Sequence, residues 1–180
     1  FEREEDRKVV VSMPGVPYEM KGLMLEEVMP RVDKHWELPT RYHRTLLTQG
    51  VGESYLSELV WDWEDGLASR GVSIAYLPAP GQVRVRLSAV DADAAAAQNR
   101  VDAEVATFLK LAGQHIVSDR DESLGATVVR HLSERGLTLS GAESCTGGAI
   151  AASITAVPGS SAMFMGSLVA YDNQVKQSML

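Results

Sequence analysis

The chain is 180 residues long, has a formal net charge of −7 and contains a single cysteine, Cys145. Its scattered Lys and Arg form no basic stripe, which speaks against a nucleic-acid partner. One thiol leaves no internal disulfide framework and suits a reducing, cytoplasmic setting, and no apolar run reaches the ~18 residues that a membrane span needs.

Three zones follow from the hydrophobic periodicity, with boundaries near residues 40 and 120. In the first zone, 1–40, the β-branched run 8–13 predicts a strand, Pro14-Gly15-Val16-Pro17 breaks it, and 18–32 predicts a helix with Met20, Leu23, Met24 and Val28 near helical spacing. Pro30 is expected to perturb the end of that helix. Such a strand-loop-helix unit cannot cover both its faces and is expected to belong to a larger α/β domain. The segment 36–40, which contains Pro39, is read as a linker.

The second zone, 41–119, predicts a strand over 42–49, then a helix over 52–69 with Leu56, Leu59, Val60, Trp63 and Leu67 on one face. A strand over 72–77 and a turn at Pro78-Ala79-Pro80-Gly81 follow. The prolines argue against the shortest hairpins there. Strand 83–90 alternates Val83, Val85 and Leu87 with Arg84, Arg86 and Ser88. Asp91 or Asp93 is set to cap a helix to about residue 111, with Val101, Val105, Phe108 and Leu109 on its face, and 115–117 is a last short strand. The order β-α-β-β-α-β is the split βαβ, ferredoxin-like plan.

The third zone, 120–180, opens with the turn Asp119-Arg120-Asp121 and a helix over 122–134 carrying Leu124, Val128 and Leu132, which Gly136 stops. A strand over 137–142, a helix to about residue 156 and a strand over 163–171 make a βαβ-like start. The second of these strands is nearly continuous in apolar residues, as expected of a sheet covered on both faces. Between the first strand and its helix lies Glu143-Ser144-Cys145-Thr146-Gly147-Gly148. A hydroxyl at a tight turn before a helix suits a nucleophile beside an oxyanion or phosphate site, and it equally suits an ordinary N-cap. Tyr171 and Lys176 follow in Val169-Ala170-Tyr171-Asp172-Asn173-Gln174-Val175-Lys176, after the turn Val157-Pro158-Gly159-Ser160-Ser161. A Lys near a Ser can serve as its base, and a Tyr hydroxyl can relay a proton or orient a substrate. A solvated helix lysine is the plainer alternative. Cys145 is a second candidate nucleophile, because a thiolate at a helix start is activated.

The three segments A-E-S-C-T-G-G, V-P-G-S-S and V-A-Y-D-N-Q-V-K, in this order, resemble the C-terminal domain of the competence/damage-inducible CinA family, which is similar to the nicotinamide-nucleotide amidases. Met13-Pro14-Gly15-Val16-Pro17-Tyr18-Glu19-Met20 resembles the end of the same family's molybdopterin-binding-like domain. The resemblance implies an α/β and α+β multidomain chain. It comprises the end of a molybdopterin-binding-like α/β domain, a KH-like middle domain and the start of an α/β amidase domain.

The implied activity is deamidation of nicotinamide mononucleotide. Ser144 would be the nucleophile, Lys176 its base and Tyr171 a positioning or shuttling group. Thr146, Gly147 and Gly148 would line the oxyanion or phosphate site, with Gly159, Ser160 and Ser161 as further substrate contacts. The amidase is expected to need no cofactor or metal. The resemblance of the first zone implies a rival reading: cleavage of ADP-ribose-type nucleotides with a divalent metal, or pterin or nucleotide binding, with Tyr18 and Glu19 as site remnants. A non-enzymatic adaptor is a third.

The KH-like zone lacks a G-x-x-G clamp and reads as a spacer or dimerisation module of a homo-oligomer. The expected partner is a small nucleotide substrate. His35, His43, His115 and His131 show no metal-ligand spacing, and Trp36, Trp61 and Trp63 read as packing residues. Asp62, Glu64 and Asp65 read as a solvated helix face. Phe1 at the start, and a helix-like segment running to Leu180 without a stop signal, read as an internal piece of a longer protein.

Overall fold

The computed structural model describes every residue except Phe1, 4–7 and Glu37, with backbone only for Glu2, Arg3 and Lys8. The chain opens with strands β1 (Glu2–Arg3) and β2 (Lys8–Val9), which pair antiparallel. The predicted strand 8–13 is therefore shorter: its ladder partner covers only two residues, and Val10 and Val11 are exposed. Helix α1 (Pro17–Leu23) passes through a wide turn at Met24–Val28 into α2 (Met29–His35). In that turn the Met29 N–H bonds the Met24 carbonyl five residues back. The widening precedes Pro30, which has no N–H and whose ring crowds the carbonyl of the preceding turn. The proline thus reshapes the helix instead of ending it. Neither α1 nor α2 contains a buried residue.

The middle of the chain runs β3 (Thr40–Gln49), α3 (Glu53–Asp65), β4 (Ser73–Ala79), β5 (Gln82–Asp91), α4 (Ala94–Ala112) and β6 (Ile116–Ser118). The sheet order is β4-β5-β3-β6 and every pairing is antiparallel. Two βαβ units are interleaved, each with a strand of the other between its own, as the order of elements predicts. β3 begins inside the segment read as a linker, because Thr40 still pairs with Asp91. Ala79 pairs with Gln82, so Pro80-Gly81 closes the shortest kind of hairpin, against expectation. Pro80 followed by Gly81 at φ +73 has the signature of a type II turn, and Pro78 is tolerated because β4 is an edge strand.

One face of this sheet packs on α3 and α4. Leu46, Val83, Val85, Leu87 and Ala89 meet Leu56 and Val60 of α3 and Ala97, Val101, Val105, Phe108 and Ala112 of α4. Leu67 joins them although α3 stops at Asp65, because a short 3₁₀ turn at Ala68–Arg70 carries the chain on to Gly71. Leu59 and Leu109, predicted on the buried faces, are instead exposed. Asp93 is the cap of α4, accepting from the Ala95 N–H. Asp91 accepts from the Asp93 N–H and pairs with Arg100.

On the opposite face Thr45 and Leu47 are buried as well. There Arg84 and Arg86 reach Asp121 at 3.6 and 3.8 Å, and Arg84 also donates to the Glu122 carbonyl. The Glu122 carboxylate receives Arg130 at 2.8 Å, Ser118 Oγ at 2.6 Å and Thr127 Oγ1 at 3.1 Å. Glu122 thus ties β6 to the helix that follows. The Arg130 guanidinium first, and the Ser118 and Thr127 hydroxyls with it, hold this carboxyl down at about 2 against the opposing effect of burial. A depressed carboxyl stabilises the fold above its ordinary pKa, and that stabilisation is lost as pH falls through about 2. Glu122→Gln is therefore expected to cost about 1–3 kcal/mol near neutrality. Urea denaturation across a pH series should show the gap between variant and parent closing from about pH 4.5 downward. A pH-independent gap would contradict this account.

The last part runs α5 (Leu124–Glu134), β7 (Leu139–Glu143), α6 (Ala149–Thr155), β8 (Phe164–Val169) and α7 (Asn173–Met179). Ser123 caps α5 by accepting from the Ala126 N–H. At its other end Gly136 takes φ +63 and the Leu137 N–H returns to the Leu132 carbonyl, a Schellman closure. β7 and β8 are parallel, with Glu143 opposite Val169. A second apolar cluster joins Val129, Ile154 and Met163, with Val128, Leu132, Leu139, Val157 and Phe164 packed against it. Leu124, predicted on the buried face of α5, is exposed. Gly125 is what lets α5 approach α6: a Cβ there would lie 2.5 Å from the Ser153 carbonyl oxygen. The expectation that both faces of β8 are covered is not met among the described residues, since Met165, Leu168 and Val169 are exposed. No described helix is long and apolar enough to cross a membrane.

Candidate functional site

β7 ends at Glu143, and the chain turns through 144–148 before α6 begins at Ala149. Gly147 and Gly148 take φ +59 and +93, a left-handed pair that side-chain-bearing residues adopt only under strain. The Gly147 N–H bonds the Ser144 carbonyl at 3.0 Å and the Ala149 N–H bonds the Thr146 carbonyl at 2.9 Å. Gly148 packs closely on β8, where an added Cβ would stand 3.4 Å from Val169 Cγ2.

The residue that organises this turn is Glu143, which sequence reasoning did not single out. Its side chain is 4% exposed. Oε1 accepts from the Ala151 N–H at 2.8 Å and from Ser167 Oγ at 3.3 Å, and Oε2 accepts from the Ile150 N–H at 3.0 Å and from Thr146 Oγ1 at 2.9 Å. Burial on its own would raise the carboxyl. The N–H groups of Ala151 and Ile150 and the two hydroxyls outweigh it and hold the group below the usual carboxylate range. Ser167 reaches Glu143 because its partner across the ladder is Gly141, whose missing side chain leaves the space: a Cβ there would be 2.9 Å from Ser167 Oγ. A signal for Glu143 is present in the sequence. The residue at the N-cap of α6 is a glycine, so the first helical N–H groups need an acceptor from elsewhere.

Ser144 is half-buried immediately beyond Glu143, and Cys145, Thr146 and Gly147 are exposed. The Ala170 N–H extends the pairing by bonding the Glu143 carbonyl at 2.8 Å, so Tyr171 leaves β8 at the same sheet edge at which Ser144 leaves β7. Asp172 then caps α7 by accepting from the Gln174 N–H, and Lys176 follows one turn into that helix. The parallel pair thus brings Ser144, Tyr171 and Lys176 to the carboxyl edge of the two strands, where open α/β sheets present their ligand sites. Tyr171 is 76% exposed. Lys176 Nζ faces Asn173 Oδ1 at 3.5 Å, and among the described residues no hydrogen bond joins it or Tyr171 to Ser144.

The expected contacts are not all placed alike. The Gly147 N–H already bonds the Ser144 carbonyl. Gly159, Ser160 and Ser161 precede β8 rather than follow it, so they lie at the opposite edge of the β7–β8 pair. Strand length alone separates them from Ser144 by roughly 15 Å or more, at about 3.3 Å per residue, and Ser160 is buried.

Among the described residues, no group of three or more His, Cys, Asp or Glu could hold a metal ion. In the first zone Glu27 pairs with Arg31 at 2.8 Å, and Tyr18 is 91% exposed.

Comparison with known proteins agrees with the three motifs. Residues 43–117 match the damage-inducible protein CinA KH domain, and residues 121–180 match the CinA C-terminal domain. A CinA-like protein of Flavobacterium psychrophilum is 43% identical over 178 residues, covering 98% of this chain and 42% of the relative. A CinA-like protein of Salinibacter ruber is 40% identical over 175 residues, covering 97% and 42% respectively. The chain thus spans about two fifths of the length of these relatives. Among solved structures, the competence/damage inducible protein CihA from Agrobacterium tumefaciens is 42% identical over 32% of this chain and 34% of its own, with a TM-score of 0.31. With a CinA KH domain followed by a CinA C-terminal domain, and with relatives of that name along nearly its whole length, the chain belongs to the CinA family.

Proposed function

We propose that this chain carries the nucleophile and base of a serine amidohydrolase that converts nicotinamide mononucleotide to its carboxylate counterpart and ammonia. The observation that carries this reading is the convergence of Ser144, Tyr171 and Lys176 on one edge of a parallel strand pair, beside a turn with unpaired backbone donors. Ser144 Oγ attacks the carboxamide carbon while the Lys176 amine takes its proton. The carbonyl oxygen becomes an oxyanion. The N–H groups of Cys145, Thr146 and Gly148, which bond no protein acceptor among the described residues, are the donors at hand for it. Collapse of the tetrahedral intermediate breaks the C–N bond, and the proton held by Lys176 leaves with ammonia. Water then hydrolyses the acyl-serine, again with Lys176 as base. Tyr171 orients the substrate or relays the proton.

The test is ammonia release from nicotinamide mononucleotide by the full-length protein, with the carboxylate product identified alongside. Lys176→Ala is expected to lower kcat by about 10²-fold or more, the usual yield of a positioned base. No ammonia from the full-length parent would overturn the reading, and near-parental turnover in the variant would remove Lys176 from it.

A further inference from the structure

The geometry points to Glu143 as a positioning residue of the Ser144 turn, its buried carboxylate filling the start of α6 in place of any anionic group of the substrate. This rests on the amidase reading for the turn's purpose, but not for its structure. Four donors converge on Glu143: the Ile150 and Ala151 N–H groups of the helix, Thr146 Oγ1 of the turn and Ser167 Oγ of the neighbouring strand. Three of them belong to the turn and first helical residues and the fourth to β8, so one carboxylate clamps the strand end, the turn and the adjacent strand together. A resident negative charge at the positive end of the helix satisfies the dipole internally. A substrate phosphate brought to the same place would meet a like charge and find two of the helix's leading N–H groups already taken. The turn's remaining donors, on Cys145, Thr146 and Gly148, are left for a neutral carbonyl that becomes negative only during reaction, and the phosphate must be recognised by other groups.

Two experiments on the full-length protein decide this. In the first, Glu143→Gln is compared with the parent on nicotinamide mononucleotide and on the same nucleoside without its phosphate. The amide matches the carboxylate in shape but turns a donor toward the N–H groups. The expected result is a kcat at least tenfold lower on both substrates, with the ratio of their KM values changed less than twofold. An unchanged kcat, or a KM for the phosphorylated substrate that falls more than fivefold relative to the other, would overturn the inference, because the freed helix start would then be holding phosphate.

The second experiment needs neither a variant that folds nor an active enzyme. Inorganic phosphate is titrated into the parent while the backbone amide resonances of Ile150 and Ala151 are followed with selective labelling. Both amides should stay in place, and saturable shifts at both would sink the idea. If the parent releases no ammonia, the amidase reading fails while this titration still decides who occupies the start of α6.

Discussion

Replacing Ser144 with alanine is expected to lower ammonia release from nicotinamide mononucleotide by three or more orders of magnitude, about 4 kcal/mol of transition-state stabilisation or more. The loss is large because the proposed reaction passes through a covalent acyl intermediate that alanine cannot form. The same change should hardly touch stability. Ser144 is half-buried and its hydroxyl bonds nothing among the described residues, so the cost should stay within about 0.5 kcal/mol. Folding and turnover therefore separate in this variant, and a melting curve measured beside the assay shows whether they do. Cys145→Ala is the necessary companion. Cys145 is exposed and next in sequence, and an attacking thiolate would produce the reverse pattern, with the alanine at 145 silencing the enzyme and the alanine at 144 leaving it running. If both variants retain most of the activity, neither side chain is the nucleophile.

Where the sequence is periodic, the fold follows from it. The alternation of Val83, Val85 and Leu87 with Arg84, Arg86 and Ser88 survives intact in β5, because one face of that strand meets α4 and the other does not. The motif turn and the parallel strands on either side of it were legible for a different reason: glycine pairs and small residues leave a backbone few alternatives. The failures are equally physical. Leu59, Leu109 and Leu124 have helical spacing with buried neighbours yet face outward, because spacing defines a stripe without fixing its width. Pro80 closes the shortest hairpin since a type II turn asks for proline and then glycine, an option that a rule about primed turns overlooks. Glu143 escaped notice because its partners are backbone N–H groups on a helix seven and eight residues away and a serine on another strand. The glycine N-cap of α6 signals only that an acceptor is needed; a linear pattern does not name which residue supplies it. Gly159, Ser160 and Ser161 stand with Ser144 by motif resemblance alone; that they precede β8, at the other edge of the strand pair, follows only from the parallel direction of β7 and β8.

Phe108→Ala is expected to destabilise the sheet-and-helix unit around β3, β4, β5 and β6 by about 3–5 kcal/mol, the range for emptying an aromatic site in a close-packed core. Phe108 is among the largest fully buried side chains and packs in the cluster with Val101 and Val105 of its own helix and with the sheet. Trp63 stands beside it, ring centroids 5.4 Å apart. That indole also donates to Glu104 at 2.6 Å, and Glu104 in turn holds Arg70 at 2.6 Å. The indole is therefore fixed from outside, while the cavity would open on its inner side, so the tryptophan cannot simply swing in to fill the space without giving up its bond to Glu104. Incomplete collapse of this kind puts the expected loss toward the upper end of the range. Trp63 also supplies the readout, since removing the neighbouring ring should change its emission in the folded state before any denaturant is added. Chemical denaturation of parent and variant, followed by fluorescence and by far-ultraviolet circular dichroism, measures the difference. Phe108→Leu, which keeps most of the apolar volume, should recover more than half of it. A loss below about 1.5 kcal/mol for the alanine variant, the size of a tolerated volume-conserving swap, would mean that the core around α4 is far less tightly packed than its burial indicates.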